Sequence, residues 1–258
     1  MARAEKNKVK SVTKIFKILE EMARYDQGIK LTELARNSGF PASTTHRFIL
    51  SLREEGYVQQ DPETGTYSLG VKFLSLASSV LNDLDLREIA RSFLKKLRDK
   101  TGETANLAIL EDGEALYIEK CESRASVRVF SLIGRRAPLH ATGVGKILLS
   151  DWDKSDLTSF FEKREMEQLT SQTITDLNLF IKELDQVRKQ GFAFDREECE
   201  MGAMCIAAPV RNHMGKIIAS ISVSAPTTRF SDKISRDWIK ILKVIAGEVS
   251  STLGYVER

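Results

Sequence analysis

"LTELARNSGFPASTTHRFILSL", residues 31–52, carries two apolar rhythms of helical period separated by "NSGFP". Leu31 precedes Thr32, which is placed to cap a short helix running through Arg36 or Asn37, with Gly39 supplying the turn. Pro41 restrains the entry to the next helix, where Thr45, Phe48, Ile49 and Leu52 recur at i, i+3, i+4 and i+7 and define an inward side. The opposite side carries Ser43 and Arg47, flanked by Thr44 and His46. Small residues let a helix approach base edges, and Arg47 can reach a guanine or a phosphate. Residues 34–53 contain Arg36, Arg47 and Arg53 but no acid, so this helix presents a positive face suited to phosphate. The alternative is a solvated basic surface on an ordinary pair of packed helices.

The flanks choose between these. Upstream, "VTKIFKILEEMA" repeats apolar residues at Val12, Ile15, Phe16, Leu19 and Met22, an amphipathic helix expected to end in "YDQGIK", where Gly28 stops it. Downstream of Gly56, "YVQQDPETGTYSLG" places two strand-like pairs around a turn-rich "DPETG", a β-hairpin. Three helices followed by a hairpin is the order of a winged helix, with the 57–69 hairpin as the wing. Residues 1–10 read as a flexible basic arm, 11–70 as the winged helix-turn-helix domain and 71–84, "VKFLSLASSVLNDL", as a linker helix. The linker is apolar for an exposed segment, which suits packing against its own copy in a dimer.

At 258 residues the chain is long for one core and suggests two domains. A hydrophobic content of 42% with 29% charged residues excludes the disordered and fibrous classes. The net charge of +3 is uneven: residues 1–80 hold 12 Lys/Arg against 9 Asp/Glu, and the remainder hold 27 of each. The excess therefore sits in the first third of the chain. No run of about 18 uncharged apolar residues exists and "MARAEKNKVK" lacks the apolar core of a secretory signal, so the expected location is cytoplasmic with no membrane partner. Cys121, Cys199 and Cys205 are odd in number without CxxC spacing, which suggests reduced thiols and no metal site.

Residues 85–258 open with an amphipathic helix, "LREIARSFLKKLRDKTG", ending at Gly102. "TANLAILEDGEALYIEKCES" and "SVRVFSLIG" read as three strands, the first two joined through Asp112-Gly113. Helical patterns follow near 143–162 and 176–190, then three strands in "FAFDREECE", "AMCIAAPVRN" and "KIIASISVSAP", and a last helix from about Ser231 to Leu253. The fold class expected for the whole chain is mixed α/β (α+β).

"STTHRFILSLREEGYV", "IGRRAPLHATGVGKILLS", "GFAFDREECEMGAMCIAAPV" and "ASISVSAPTTRF", in this order, resemble the isocitrate-lyase-regulator (IclR) family of bacterial transcription regulators over nearly the whole chain. The resemblance implies an N-terminal winged helix-turn-helix, a linker helix and a GAF-like C-terminal domain that binds a small effector. It implies dimers or dimers of dimers on palindromic double-stranded operators, repression as one mode of action, and no cofactor. The "GRRAPLHATGVGK" loop is similar to that of sugar-acid-responsive members; other members take keto acids or aromatic acids. The implied effector site combines His140, Gly143 and Val144 at a strand-to-helix junction with Asp195, Cys205, Ser222 and Ser224 on later strands.

The residues themselves leave alternatives at each point. Free N–H groups at the helix beginning near Gly143 can attract a carboxylate, whereas Gly143 and Gly145 also suit a tight turn. Ser222 and Ser224 share one face of a strand, either towards a ligand or towards solvent. Asp195 can accept from a ligand hydroxyl or cap a strand, Cys205 can be a small buried hydrophobe, and His140 can be satisfied structurally. Arg135 and Arg136 can bind an anion or face water. A Cys-nucleophile hydrolase using Cys205 with His140 or His213 and Asp195 is a rival, but no nucleophile elbow, phosphate loop or HExxH accompanies it. The chain is therefore expected not to be an enzyme. A winged-helix protein-interaction module is the third reading.

Overall fold

The computed structural model describes residues 9–25, 27–76 and 85–257. The chain divides into two compact units, Met1–Leu84 and Asp85–Arg258.

In the first unit α1 (Lys10–Met22), α2 (Leu31–Ser38) and α3 (Ala42–Glu54) pack with a two-stranded sheet, β1 (Val58–Gln60) against β2 (Tyr67–Leu69). Ile18, Met22, Leu34, Ile49, Val58 and Tyr67 form the core. The inward side of α3 is as its period requires: Thr45 and Ile49 are fully buried, and the Thr45 hydroxyl donates to Pro41 O at 3.3 Å. Gly39 ends α2 at φ 74°, a conformation that glycine adopts without a steric penalty.

Two local expectations differ. Helix α2 begins at Leu31 with Lys30 as an N-cap that makes no side-chain bond, so Thr32 lies inside the first turn instead of capping it. Helix α1 stops at Met22, well before Gly28. The chain leaves early because Ile29 must pair with Tyr67: its N–H donates to Tyr67 O at 2.9 Å and its carbonyl accepts from Tyr67 N at 2.8 Å. Gly28, at φ 74°, makes the turn into that pairing. The wing tip is held by Asp61, whose carboxylate accepts from the N–H groups of Glu63 and Thr64 at 2.8 Å. Of the expected linker helix, 72–76 is helical and 77–84 lies outside the described residues, as do residues 1–8 of the arm.

The second unit is a six-stranded antiparallel sheet of order β5-β4-β3-β8-β7-β6. Its strands are β3 (Thr104–Glu111), β4 (Glu114–Cys121), β5 (Arg136–Ala137), β6 (Ala193–Arg196), β7 (Ala203–Arg211) and β8 (Ile217–Pro226). Asp112 and Gly113, at φ 52° and 83°, turn β3 into β4. Asn106, Ser222 and Ala207 are cross-strand partners and share one face; Ala105, Val223 and Ile206 share the other. Helices α4 (Leu86–Thr101) and α8 (Asp232–Thr252) cover the second face. Helix α5 (Gly143–Leu149) lies on the first, backed by α7 (Leu177–Gln190).

The helical pattern near 143–162 is two helices, α5 and α6 (Lys154–Phe161), separated at Ser150–Asp153, where Asp153 caps α6 by accepting from Asp156 N at 2.9 Å. "SVRVFSLIG" does not form a strand. Its backbone is bound by side chains in place of a ladder: Thr104 Oγ1 donates to Val129 O at 3.4 Å and Lys120 Nζ to Ser131 O at 2.6 Å. Gly134 and Arg135 bond Tyr117 of β4 through their backbones, and Arg136 and Ala137 beyond them form the short strand that pairs with it.

Helix α5 crosses the chain closely. A Cβ on Gly145 would collide with the Cα and carbonyl of Leu139, whereas one on Gly247, inside α8, would meet nothing within 4 Å. Gly145→Ala should cost about 3 kcal/mol or more, since backbone cannot yield as a side chain can, while Gly247→Ala should add about 0.5–1 kcal/mol. Urea unfolding of the two variants beside the parent chain measures both signs.

Candidate functional site

Between the first face of the sheet and the 129–135 segment lies a cavity. Its floor is Asn106, Tyr117, Cys205 and Ser224, its roof Phe130 and Ser131, and Asp195, Thr142 and Arg135 stand on its walls. The centres of water molecules can roam about 60 Å³ of it, several times the roughly 10–15 Å³ that one water needs; the space takes a compact ligand. A polar chain crosses it: Ser131 Oγ donates to Asn106 Oδ1 at 2.6 Å and Asn106 Nδ2 to Ser224 Oγ at 3.3 Å.

The floor loop that follows β6 is fixed by Lys146, the last residue of "GVGK". Its side chain is fully buried and its ammonium reaches Glu198 Oε1 at 2.6 Å, Phe194 O at 3.0 Å and Glu183 Oε1 at 3.3 Å. Three donors meet three acceptors, which is what burying an ammonium demands. Glu198 in turn donates its N–H to Asp195 Oδ1 at 2.8 Å, and Cys199 N adds a second bond there at 3.3 Å. Thr170 and Thr173 hold the same loop through the carbonyls of Glu197 and Glu198 at 2.6 and 2.7 Å.

Burial dominates the electrostatics. Asp195 is pushed up to about 7, chiefly by desolvation and against the two backbone N–H bonds it accepts. Both bonds fall on Oδ1, and Oδ2 accepts none among the described residues. Cys205 is pushed up to about 12, first by burial and then by Asp195, with the Ser224 hydroxyl opposing. Cys199 rises to about 11, and the Tyr117 phenol is held well above its ordinary value, both again by burial first. At neutral pH the cavity therefore offers thiols and phenol in their protonated forms and one carboxyl near its midpoint.

The residues expected to form an effector site are only partly together. Asp195, Cys205 and Ser224 line the cavity. Ser222 lies beside the Cys205 sulfur, fully buried, its hydroxyl without a hydrogen bond of ordinary geometry. Gly143 passes over the same floor: a Cβ there would sit 3.4 Å from Asp195 N and 3.5 Å from Cys205 Sγ. Val144 is packed in the apolar cluster with Ile147 and Phe180. His140 lies outside the cavity, its Nε2 at 3.0 Å from Glu167 O and its ring edge-on to Phe161. Of the two arginines, Arg136 is engaged by Asp112 at 3.0 Å and Glu114 at 3.6 Å, and Arg135 lines the cavity. Asn106, Tyr117, Ser131 and Thr142 were not anticipated. A polar Asn inside the apolar run "TANLAIL" is the one signal that pointed to them.

On the first unit, Ser43, His46 and Arg47 are exposed along α3 and Thr44 is half-buried. No side chain caps the N-terminus of α3. Arg47 has no ion-pair partner among the described residues and lies 5.8 Å from the Phe48 ring.

Two family models cover the chain: the IclR helix-turn-helix domain matches residues 11–62, and the bacterial transcriptional regulator IclR C-terminal model matches residues 78–251. The chain belongs to the IclR family. It is 37% identical to the HTH-type transcriptional regulator KdgR of Escherichia coli K12 over 99% of this chain and 98% of that one. It is 34% identical to XynR of the same organism over 96% and 98%. The structure of the Agobacterium tumefaciens repressor BlcR superposes with a TM-score of 0.78 at 27% identity, covering 96% of this chain and 99% of that one. This IclR-family protein is thus a DNA-binding transcription regulator and not an enzyme. Burial keeps the Cys205 thiol protonated at neutral pH, pushed up to about 12.

The raised Asp195 has a consequence for stability. Its folded value of about 7 exceeds the ordinary 3.8, so the fold binds the proton more tightly than the unfolded chain does; the carboxyl costs nothing below pH 4 and progressively more as pH rises to 7. Asp195→Asn should therefore be more stable than the parent chain at pH 8, with the advantage shrinking towards pH 5. Urea denaturation at the two pH values decides it, and an advantage independent of pH contradicts the assignment.

Proposed function

We propose that operator binding by this regulator is modulated by a small organic acid, a sugar acid or a keto acid, held in the cavity of the 85–258 domain. The observation that carries this reading is the cavity itself: a partly open space of mixed lining that presents neutral donors, a carboxyl near its midpoint and an arginine. Asp195, Cys205 and Ser224 contact the effector, Gly143 and Ser222 shape the floor beneath it, and His140 and Val144 hold α5 from behind. The sugar acid is favoured over the keto acid by the resemblance of "GRRAPLHATGVGK" to sugar-acid-responsive members. Effector shifts operator affinity only through its different affinity for two arrangements of the protein, and the 71–84 linker is the element between the two domains.

On the DNA side, Ser43, Thr44, His46 and Arg47 of the 11–70 domain approach base edges in the major groove while the 57–69 wing touches the flanking backbone. The uncapped N-terminus of α3 supports a phosphate contact there. The regulator works in the cytoplasm as a repressor, assembled as a dimer or dimer of dimers on a palindromic operator. No helix among the described residues is long and apolar enough to cross a membrane.

A gel-shift titration of the promoter region beside the protein's own gene, with D-gluconate, D-galacturonate, pyruvate and benzoate added in turn, tests both halves. Arg47→Ala should weaken binding by about 1–3 kcal/mol at the base pair it reads and relax the preference there. An unchanged affinity removes Arg47 from the interface, and a complex indifferent to every acid removes the effector.

A further inference from the structure

We propose that Arg135 is the residue that selects a carboxylate in the C-terminal cavity, because it is the cavity-lining cation whose head group is uncommitted. The inference rests on the reading that this cavity takes a small organic acid, and adds which protein group recognises the acid function.

The cations near the cavity are accounted for one by one. Lys146 is spent on Glu198, Glu183 and Phe194 O beneath the floor. Lys120 binds Glu122 Oε1 and Ser131 O, both at 2.6 Å. Arg136, next in the chain, points to the β3–β4 turn and binds Asp112 and Glu114. Arg229 is paired with Glu103. Arg135 alone among the cavity-lining residues is a cation, and among the described residues its guanidinium has neither an ion pair nor a hydrogen bond. Its backbone is nonetheless fixed: its N–H donates to Leu132 O at 3.1 Å, its carbonyl accepts from Tyr117 N at 3.0 Å, and Gly134 N donates to Tyr117 O at 2.7 Å. A pinned backbone places a free, planar head at the rim of the cavity, where its fork matches the two oxygens of a carboxylate.

The rest of the lining makes that charge necessary. Asp195 and Glu200 both face the space, and each, when ionised, repels an entering anion. The remaining polar atoms of Asn106, Ser131, Thr142 and Ser224 are neutral and suit hydroxyl groups. Without Arg135 the cavity has the chemistry of a neutral polyol site. With it, one end of a hydroxylated chain is specified as an acid.

The test uses ligand pairs that differ only in the acid function: D-gluconate against D-glucitol, and D-galacturonate against D-galactose, titrated calorimetrically into the full-length protein. Arg135→Gln removes the charge and leaves a shorter polar side chain, Arg135→Lys restores the charge without the fork, and Arg136→Gln is the neighbouring control, with melting temperatures verifying that each variant folds. Loss of a charge-assisted contact should lower the affinity for the acid about ten- to a hundredfold in Arg135→Gln. Arg135→Lys should recover part of it, and Arg136→Gln and the binding of the neutral partner should change less than about threefold, the scatter expected of a site not directly touched. Acid binding by Arg135→Gln equal to that of the parent chain overturns the proposal, as does an equal loss for acid and neutral partner. A parent chain that binds neither acid, nor pyruvate, overturns the effector reading together with it, and is distinguished by failing before any variant is made.

Discussion

A buried ammonium organises the C-terminal domain. Lys146 is fully enclosed and its three partners come from a helix, a strand and a loop: Glu183 on α7, Phe194 O on β6 and Glu198 beyond β6. Such an ion pair contributes little net stability compared with an apolar replacement, yet removing one partner alone costs about 3–5 kcal/mol because a charge is left without compensation. Its value here is positional. Glu198 is the residue whose N–H fixes Asp195, and Asp195 forms a wall of the cavity. The chain from Lys146 through Glu198 to Asp195 is therefore the route by which the packing of α5 sets the chemistry of the site.

Close backbone approach makes this possible. Helix α5 can reach the floor because Gly145 admits the Leu139 backbone, and Gly143 lies against Asp195 N, Ala207 and Cys205. The glycines thus serve protein against protein, and the ligand space opens on the other side of Thr142, under Phe130 and Ser131. The N-terminal domain uses the same device at Gly70, where a Cβ would collide with Gly56 O; this draws the end of the wing against the end of α3 and its following turn. In both domains a rigid scaffold presents a few polar side chains: hydroxyls and arginine along α3, and hydroxyls, thiol and carboxyl in the cavity.

Much of the architecture was legible because it rests on short-range rules. The i, i+3, i+4, i+7 set of α3, the αL glycines at 39 and 102 and the Asp112-Gly113 turn all appear where local pattern put them. The two-residue spacing of Ser222 and Ser224 does bring both hydroxyls to the side of β8 that faces Cys205. What was not legible depends on distant partners. Nothing local in "GVGK" marks its lysine as buried; the partners that enclose it, Glu183, Phe194 O and Glu198, lie 37, 48 and 52 residues away. "SVRVFSLIG" alternates like a strand, but Asn106, Thr104 and Lys120 bind it from across the sheet and turn it into a roof. Pairing of Ile29 with Tyr67 overrode the glycine expected to end α1. Arg135 and Arg136 are identical in sequence terms and were separated only by where the β5 pairing points each one.

Lys146 holds the loop that shapes the cavity, and amide hydrogen exchange reads that directly. In Lys146→Met, an isosteric replacement without charge, the N–H groups of Glu198 and Cys199 should exchange at least about a hundredfold faster than in the parent chain, as a local loss of a few kcal/mol implies. The amides of Ala105 and Val223 on the far face of the sheet should keep their protection. Unchanged protection at Glu198 and Cys199 would mean that the loop stands without the lysine, and the account would be wrong.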